Sequence, residues 1–398
     1  MRILTLSWEY PPLVYGGLGR HVGALSEALA AGGHQVTVVA PHDPEGRAEA
    51  VGGVRVVRAE PTEAVETMTD LLGFVDTLGD ALTRAALQQG RSYDVVTAHD
   101  WVVGRAAAAV AAAGLGLPLV GTLHATEAGR HQGWLPGHLS RSIHTIEGEL
   151  CARSTRIVVC STAMGRDVRR LFGLPPERVA VIANGISTAD WPPGRPVAER
   201  DAATLLFAGR LEYEKGVHVL LDALPRIRRA RPGLELVVAG TGTYETALHE
   251  LVASHGLDGV RFIGRVPDDE LVALFQRAGA VVIPSLYEPF GLVALEAAAC
   301  GAPLVVSDVG GLGEFAATGG ALTAPPGDAA GLADAVLRLL DHPAAAEAAA
   351  RAATARLARD YDWPAIARQT AAVLEQAVAH PQPAPVVLPE PGEGNLLA

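Results

Sequence analysis

The chain has 398 residues, a length that suits two or three domains, each large enough to bury its own core. Its 32 Lys and Arg residues and 44 Asp and Glu residues give a net charge of −12, which excludes a basic nucleic-acid-binding surface as the default interpretation. Although 49% of the residues are hydrophobic, no apolar run reaches the roughly 18 residues that a membrane span needs. We therefore expect no nucleic-acid partner and no membrane span.

Three cysteines, Cys151, Cys160 and Cys300, lie in apolar segments without CxxC spacing or a neighbouring histidine. This pattern is typical of buried thiols in a reducing compartment and not of a metal site. The N-terminal sequence MRILTLSWEYPP lacks the apolar core and cleavage site of a signal peptide and is typical of a first β-strand. These features predict a cytoplasmic protein.

Strand-like runs alternate with alanine-rich helical segments along the chain, which predicts an α/β fold with parallel sheets covered by helices on both faces. In the first half we expect strands near residues 2–7, 35–40, 54–58, 94–98, 119–122, 156–160 and 179–182. The second half restarts the pattern, with strands expected near 204–208, 235–239, 260–263, 280–283 and 303–306 and helices starting near 217, 243, 268 and 292. Each half resembles a Rossmann-like domain.

A proline-rich segment at residues 187–197 separates the two halves and is the predicted linker, because it sustains neither helix nor sheet. Two open α/β domains joined in this way place the carboxyl ends of both sheets across a cleft, the usual position of a ligand. The predicted parts are a first domain at 1–190 completed by a C-terminal helix at 364–380, a second domain at 198–363, and a loosely attached or disordered proline-rich tail at 381–398.

A glycine-rich loop at residues 15–21, YGGLGRH, follows the first predicted strand and precedes a helix. Glycines let backbone N–H groups approach an anion, and the helix dipole favours negative charge at that end. The spacing matches neither GxGxxG nor GxxxxGK[ST], which argues against a nicotinamide dehydrogenase and against a P-loop ATPase. The loop therefore indicates either a phosphate site or a simple tight turn.

The segment FAGRLEYEKG at residues 207–216 carries Arg210 and the single lysine of the chain, Lys215, after the first strand of the second half. A planar guanidinium and a point charge together can clamp a diphosphate and neutralise the charge that grows on a leaving phosphate. The alternative is that both cations pair with Glu212 and Glu214, a surface arrangement that contributes only about 0–1 kcal/mol.

Further along the chain, the segment PSLYEPFGLVALE at residues 284–296 carries Glu288 and Glu296 eight positions apart. If Glu288 lies near the start of a helix, the spacing places both carboxylates on one helical stripe, where they can accept hydrogen bonds from sugar or ribose hydroxyls. The N–H groups of Gly291, Leu292 and Val293 at the helix start could hold a phosphate. The alternative makes Glu288 a helix cap and Glu296 a solvated residue.

Together with the GGLGE run at residues 310–314, these motifs resemble the retaining family 4 glycosyltransferases of GT-B fold over nearly the whole chain. Within that family, SWEYPPLVYGGLGRH, AHDW and LHATEAGRH are most similar to bacterial glycogen-synthase-like α-1,4-glucosyltransferases, including those that make methylglucose-type polysaccharides. Starch and glycogen synthases of the neighbouring family begin with a KxGGL loop and often lack the second glutamate, whereas this chain has Tyr15 before GGL and retains Glu296. This difference favours family 4 and leaves the donor base, adenine or uracil, open.

The resemblance implies two Rossmann-like domains facing a central cleft, with glucose transferred from ADP-glucose or UDP-glucose to an α-1,4-glucan. The residues implied to be catalytic are His124, Arg210, Lys215 and Glu288. The residues implied to bind the donor are Gly17, Leu18, Gly209, Gly291, Leu292, Val293 and Glu296. Asp100 matches an acid that contacts the sugar, and Asn184 matches a turn near the hinge.

The stretch HATEAGRHQGW at residues 124–134 supplies Glu127, Arg130 and Trp134, which we expect on the acceptor side because aromatic faces bind sugar rings and charged groups bind hydroxyls. Each of them could instead serve packing. Family enzymes are usually described as front-face transferases, in which the departing phosphate accepts the acceptor proton. No DxD-like motif stands beside the predicted phosphate loops, so we expect no metal and no cofactor apart from the nucleotide-sugar co-substrate.

Three alternatives stay open from the sequence. The chain could be a family 4 enzyme with a lipid or small-molecule acceptor, although the absence of a basic amphipathic N-terminal helix argues against membrane-bound acceptors. It could be a non-hydrolytic sugar-nucleotide epimerase, which shares the two-domain nucleotide cleft. It could also be a nucleotide-sugar-binding protein without turnover. The sequence leaves the acceptor length and the oligomeric state undecided.

Overall fold

The computed structural model describes residues 1–41, 50–60, 70–90, 92–113, 116–381, 388–389 and 394–397. The chain divides into two compact units, Met1–Gly185 with Trp363–Ala398, and Ile186–Asp362. The chain therefore first passes from one unit to the other between Gly185 and Ile186, just before the predicted linker. Trp191, from that proline-rich segment, is buried in the second unit, where its ring lies 5.9 Å from the ring of Phe275.

The sheet of the first unit contains eight strands within the described residues, in the order β3-β4-β2-β1-β5-β6-β7-β8. They are β1 Arg2–Ser7, β2 Gln35–Pro41, β3 Ala50–Val51, β4 Val54–Ala59, β5 Val95–His99, β6 Leu119–Leu123, β7 Arg156–Val159 and β8 Val179–Val181. Every neighbouring pair is parallel except β3 with β4. All five residues of β5 are buried, as expected for a strand covered on both faces.

The helices of the first unit alternate with these strands along the chain. They are α1 Gly17–Ala31, α2 Leu71–Gln88, α3 Gly104–Ala113, α4 Glu127–Arg130, α5 Gly137–Arg153 and α6 Thr162–Phe172. Short 3₁₀ turns lie at Trp101–Val103 and Pro176–Arg178. Side-chain caps define several helix starts: the Asp70 side chain accepts from Gly73 N, and Ser161 accepts from Met164 N.

The sheet of the second unit has six parallel strands in the order β11-β10-β9-β12-β13-β14. They are β9 Asp201–Ala208, β10 Glu235–Ala239, β11 Val260–Gly264, β12 Ala278–Ile283, β13 Leu304–Ser307 and β14 Leu322–Ala324. The helices are α7 Val217–Ala230, α8 Glu245–Ser254, α9 Asp268–Arg277, α10 Leu292–Ala299, α11 Gly310–Phe315, α12 Ala329–Asp341 and α13 Pro343–Asp360.

The final helix, α14 Trp363–Ala379, returns to the first unit. Its buried side chains Ile366 and Leu374 share one hydrophobic cluster with Val22 and Leu25 of α1. Pro364 is the second helical residue, where its missing N–H removes no hydrogen bond within the helix. The helix thus completes the core of the unit that also holds the N-terminus.

The α/β prediction is confirmed, and every predicted strand lies within a few residues of an observed one. Two short edge strands, β3 and β14, were not predicted, because two or three residues are too few to show a periodicity. Of the predicted tail, residues 382–387, 390–393 and 398 lie outside the described residues. The described part makes specific contacts that the sequence did not predict: Leu396 N donates to Gly133 O over 2.7 Å, and Asn395 Nδ2 donates to Gln132 O over 3.0 Å.

Candidate active-site residues

The candidate residues of the first unit lie at the carboxyl ends of three adjacent parallel strands, β1, β5 and β6. The glycine loop follows β1, Asp100 follows β5, and His124 follows β6. Carboxyl ends of neighbouring parallel strands meet at one edge of the sheet, which is where ligands bind in open α/β folds. The fold therefore brings these sequence-separated residues to one place.

Glu9 organises the glycine loop, a role that the sequence analysis missed. Its side chain is buried, and Oε2 accepts hydrogen bonds from the backbone N–H groups of Tyr15, Gly16 and Gly19 at 2.9, 3.1 and 3.3 Å. The loop thus holds an anion, as predicted from its glycines, but that anion is a carboxylate of the same chain.

Between Tyr15 and Gly19, the two amides that Glu9 does not engage are those of Gly17 and Leu18, the first residues of α1. N–H groups in the first turn of a helix have no acceptor within the helix and carry the positive end of its dipole. The part of the loop that suits an external phosphate is therefore narrower than the sequence suggested. It consists of the two residues that the sequence analysis assigned to the donor.

Three histidines form a compact group, which we call the histidine cluster: His21 on α1, His99 at the end of β5 and His124 after β6. His99 Nδ1 lies 3.2 Å from His124 Nε2, and the rings of His21 and His124 meet edge to face with centroids 4.9 Å apart. His21 and His99 are buried, and His124 is half-buried. Only His124 was a candidate from the sequence.

All three members of the histidine cluster are neutral at physiological pH. Burial lowers the pKa of His21 to about 4, outweighing the nearby Asn184 side chain, which raises it. Burial, with His21 close by, holds the pKa of His99 well below its usual range. The same burial and the two neighbouring imidazoles lower the pKa of His124. Imidazole, not imidazolium, is therefore the group that this site offers.

Asp100 adopts a left-handed backbone conformation, with φ of 73°, which is uncommon outside glycine. Its carboxylate accepts from Trp101 N over 3.1 Å and caps the following 3₁₀ turn. Burial raises the pKa of Asp100 to about 7, partly opposed by the charge of Arg130. The predicted sugar-contacting acid and one predicted acceptor-side cation thus lie within electrostatic range of each other.

Glu127 links α4 to α5. Its Oε1 accepts from Ser140 Oγ and lies 3.1 Å from His131 Nε2, and its backbone N–H donates to Glu147 Oε1 over 2.8 Å. The side chain that we expected to bind acceptor therefore also has internal partners. Trp134, by contrast, is 53% exposed, so its ring face is available to solvent.

Glu147 on α5 is a second buried carboxyl that the sequence did not single out. Burial raises its pKa to about 8, so the group is largely protonated at neutral pH. His144 Nδ1 lies 3.8 Å from its Oε2, and burial lowers the pKa of that histidine. Both partners are therefore mainly neutral, and the contact is not a strong ion pair.

In the second unit, the central feature is an ion pair between the two sequence motifs. Lys215 Nζ lies 2.9 Å from Glu288 Oε2, with only 18% and 13% of the side chains exposed, and Ser285 Oγ donates to the same oxygen over 3.4 Å. The sequence alternative paired the cations with Glu212 and Glu214. Lys215 pairs with Glu288 instead, whereas Arg210 does lie near Glu214, with its half-exposed guanidinium 3.4 Å from Glu214 Oε1.

Gly216 fixes the position of Lys215. Its φ is 68°, and a Cβ at this position would lie 2.0 Å from the carbonyl oxygen of Pro284. The loop after β9 therefore lies directly on the backbone at the end of β12, where Leu286 N donates to Glu214 O over 2.8 Å. Gly209, in the same loop, donates its N–H to Ala239 O over 3.0 Å.

The helical-stripe interpretation of Glu288 and Glu296 is wrong. Helix α10 begins at Leu292, and Glu288 lies before it, separated by Pro289 and by Gly291 in a left-handed conformation, so a helical rotation does not relate the two carboxylates. Glu296 is inside the helix and buried, at 7% exposed. Gly291, Leu292 and Val293 stand at the start of α10, as predicted.

The GGLGE run positions Glu288 through the backbone. Gly311 N donates to Glu288 O over 3.0 Å, and a Cβ at Gly310 would lie 2.0 Å from that oxygen. The run begins α11, so its glycines allow the close approach of the helix start to the Glu288 segment.

Two further observations delimit the site. A cavity of about 470 Å³ lies over the β9, β10 and β11 side of the second sheet, lined by residues such as Arg261, Arg265 and Glu270, and none of the predicted site residues lines it. No helix in the described part of the chain is long and apolar enough to cross a membrane.

Comparison with known proteins gives consistent results for both halves. Residues 15–190 match the family described as Glycosyltransferase Family 4, and residues 195–356 match the one described as Glycosyl transferases group 1. The chain is 46% identical to a glycogen synthase of Mycobacterium tuberculosis, over 96% of this chain and 97% of that protein.

Two other similarities are more distant. The chain is 35% identical to a D-inositol 3-phosphate glycosyltransferase of Frankia alni, over 89% of this chain and 92% of that protein. The structure of sucrose-phosphate synthase from Thermosynechococcus elongatus gives a TM-score of 0.79 at 24% identity, covering 95% of this chain and 99% of that one, and shows the same fold.

Proposed function

The chain belongs to glycosyltransferase family 4, and we propose that it transfers glucose from a nucleotide diphosphate donor, ADP-glucose or UDP-glucose, to the 4-hydroxyl of an α-1,4-glucan with retained configuration. The near full-length similarity to a mycobacterial glycogen synthase carries this proposal. The residues that would perform the reaction lie in two groups, one in each unit.

On the donor side, Lys215 and Arg210 bind the diphosphate, and Glu288 accepts hydrogen bonds from the donor sugar. The pairing of Lys215 with Glu288 supports this assignment, since it holds a cation for the phosphate and an anion for the hydroxyls side by side. The first-turn amides of α10, at Gly291, Leu292 and Val293, add phosphate donors. Glu296 binds the ribose, and Gly209 gives the backbone room to approach the nucleotide.

From the first unit, the amides of Gly17 and Leu18 approach a phosphate, because Glu9 leaves these two loop amides unengaged. His124 contacts the donor sugar beside the anomeric carbon. Its imidazole is neutral, so it exchanges hydrogen bonds with hydroxyls and adds no positive charge near a developing oxocarbenium ion. Asp100 accepts a hydrogen bond from a sugar hydroxyl.

The reaction that the family resemblance implies is a front-face displacement. The bond between the anomeric carbon and the diphosphate oxygen breaks, the acceptor 4-oxygen bonds to the same face of that carbon, and the acceptor proton moves to the departing phosphate. Arg210 and Lys215 stabilise the negative charge that grows on the phosphate. These two side chains supply the charge compensation that a divalent ion provides in other transferases, so activity without metal stays our prediction.

On the acceptor side, the exposed ring of Trp134 offers a stacking face for a glucose unit of the glucan. Arg130 donates hydrogen bonds to hydroxyls. Glu127 is less suited to acceptor binding than Arg130 and Trp134, because Ser140 and His131 already contact its Oε1. A glucan oligomer that covers the Trp134 ring should bind better than free glucose.

The similarity to a D-inositol 3-phosphate glycosyltransferase supports a second candidate, transfer to a phosphorylated small molecule. One assay decides between the two: purified protein is incubated with ADP-glucose or UDP-glucose and with maltooligosaccharides, inositol phosphates or lipid acceptors. Elongated maltooligosaccharide with an α-1,4 linkage by NMR supports the glucan transferase. A β-linked product, or transfer only to the other acceptors, contradicts it.

A further inference from the structure

We propose that the histidine cluster binds a divalent transition-metal cation of the zinc class through one ring nitrogen each of His21, His99 and His124. We further propose that the bound cation inhibits the transferase. The metal site rests on the geometry of the cluster alone, whereas the inhibition also rests on the proposed function.

The distances in the cluster suit tetrahedral coordination. One nitrogen from each ring lies within 4.8 Å of the others, and His99 Nδ1 is 3.2 Å from His124 Nε2. Zinc–nitrogen bonds of about 2.0–2.1 Å in a tetrahedral site place the ligand nitrogens about 3.3 Å apart. The His99–His124 pair is already at this spacing, and a nitrogen of His21, within 4.8 Å of both, must move closer to join it.

The ring positions lead to the same conclusion. The three centroid separations are 5.5, 4.9 and 5.5 Å. A ring centre lies about 3.2 Å from a metal that its nitrogen binds, so two such rings in a tetrahedral site have centres about 5.2 Å apart. The three centroid separations are therefore close to those expected for three imidazoles around one cation.

The donor set selects the kind of cation. Three neutral imidazoles suit zinc, cobalt, nickel and copper, whereas magnesium and calcium prefer oxygen ligands. Neither ring nitrogen of His21 makes a hydrogen bond of acceptable geometry to any described residue, although Asn184 lies close. Leaving a buried polar group unsatisfied is costly, and a metal bond would satisfy it. Asn184 could then fix the ring orientation by a hydrogen bond to the other ring nitrogen, as neighbours of metal-binding histidines do.

The three ligands come from three rigid elements, since His21 lies within α1, His99 ends β5 and His124 follows β6 directly. His124 is half-buried, so the cluster has an open side for a fourth ligand such as water. A cation held there occupies a ring nitrogen of His124, the histidine that we assign to the donor sugar. It should therefore compete with the nucleotide-sugar.

The test measures binding without reference to activity. Full-length protein is titrated with Co²⁺, and the visible d–d absorption of tetrahedral cobalt is recorded, with Zn²⁺ affinity measured by competition against a chromophoric chelator. We expect one equivalent to bind with three imidazole ligands, seen as hyperfine-shifted imidazole N–H signals in the NMR spectrum of the cobalt form. A cobalt–thiolate absorption band would overturn the proposal, because the metal would then sit on a cysteine.

Two variants sharpen the result. His21→Gln should weaken Zn²⁺ binding by more than about 100-fold. This loss exceeds the roughly 10–100-fold that is typical when a residue that only hydrogen-bonds a metal ligand is removed. His131→Gln removes an exposed histidine that could chelate with Glu127, and its affinity should equal that of the wild type. Equal affinity of His21→Gln and the wild type, or a loss only in His131→Gln, would overturn the site. If His21→Gln does not fold, the imidazole signals of the wild-type cobalt form decide.

Inhibition is tested separately in the glucan-transfer assay. Zn²⁺ should raise the apparent KM for the nucleotide-sugar, a chelator should reverse the effect, and Mg²⁺ should have none. Activity unaffected by Zn²⁺ at a concentration that saturates the cobalt-defined site would overturn the inhibition while leaving the site. Cobalt binding in a protein that transfers no glucose to any glucan would contradict the proposed function and leave the metal site standing.

Discussion

Lys215 Nζ and Glu288 Oε2 are 2.9 Å apart although 73 residues separate them in the sequence. The pair connects the loop after β9 with the segment that precedes α10, and its side chains are mostly shielded from solvent. Removing one partner of a shielded ion pair is destabilising because it leaves the other charge unpaired. Substitutions of the lysine should therefore affect both folding and turnover.

Lys215→Ala should lower kcat/KM by more than a hundredfold, equivalent to about 2.7 kcal/mol, because the phosphate loses its point charge. It should also lower the free energy of unfolding by about 1–3 kcal/mol, because Glu288 is left without its partner. Lys215→Arg should restore part of the activity. Arg226→Ala is the control: it breaks an exposed ion pair with Asp334 and should change stability by at most about 1 kcal/mol without loss of activity. Full activity in Lys215→Ala would refute the assignment.

Glu9→Gln should destabilise the glycine loop, because a neutral amide replaces a carboxylate that accepts three backbone N–H groups. We expect the free energy of unfolding to fall by about 1–3 kcal/mol and the KM for the nucleotide-sugar to rise, as the amides of Gly17 and Leu18 lose their fixed position. Glu149→Gln, which removes an exposed partner of Arg105, is the control and should leave both quantities unchanged. An unaltered donor KM in a destabilised Glu9→Gln protein would separate loop stability from donor binding.

Gly216→Ala and Gly233→Ala form a matched pair, because both glycines have a positive φ, 68° and 82°. Only Gly216 is also in close contact, with the carbonyl of Pro284, whereas no atom lies within 4 Å of a Cβ at Gly233. Gly233→Ala should cost about 1–2 kcal/mol of backbone strain and keep full activity. Gly216→Ala should cost more and should also reduce turnover, since the loop that carries Lys215 must move. If chemical denaturation shows the same loss of unfolding free energy in both variants, backbone strain alone accounts for it and the contact with Pro284 does not contribute.

Glu147 gives a pH-dependent prediction. Its pKa in the folded chain is about 8, against 4.5 for a solvated glutamate side chain. Between these values the unfolded chain releases a proton that the folded chain retains, so this group lowers stability as pH rises from 4.5 to 8. Glu147→Gln should therefore become more stable relative to the wild type by about 1 kcal/mol per pH unit over that interval. Denaturation of both proteins at pH 5, 6, 7 and 8 measures the difference, in which other titrating groups cancel. A constant difference would mean that Glu147 is ionised in the fold.

Trp134→Ala should raise the KM for maltooligosaccharides and leave the KM for the nucleotide-sugar unchanged, because the ring is exposed and assigned to the acceptor. Its exposure of 53% means that little core packing is lost, so the melting temperature should change little. Leu139→Ala removes another exposed apolar side chain from the same unit, at 46% exposed, and should affect neither KM. If the KM for the nucleotide-sugar rises as much as the KM for the acceptor, the assignment of Trp134 to acceptor binding is wrong.

The order of strands and helices was predictable from the sequence because parallel strands buried on both faces are short apolar runs with helices between them. Candidate residues were predictable where a motif indicates both a suitable side chain and its position at the end of a strand, as for Lys215. Glu9, His21 and His99 were missed because their roles depend on which atoms the fold brings near them. Glu9 stands between two aromatic residues, and nothing in its neighbours shows that a loop returns to enclose it. The stripe proposed for Glu288 and Glu296 failed because Pro289 and Gly291 delay the start of the helix.

Because α14 belongs to the first unit, the residues that form the core of the first unit are completed later during synthesis than those of the second unit. Every segment of the second unit has been synthesised once Asp362 emerges, so that unit can fold as one continuous stretch. The first unit begins earlier but waits for Ile366 and Leu374, which fill the cluster around Val22 and Leu25. During synthesis part of this apolar cluster therefore stays uncovered until α14 has been made, so the first unit should expose apolar surface for longer than the second.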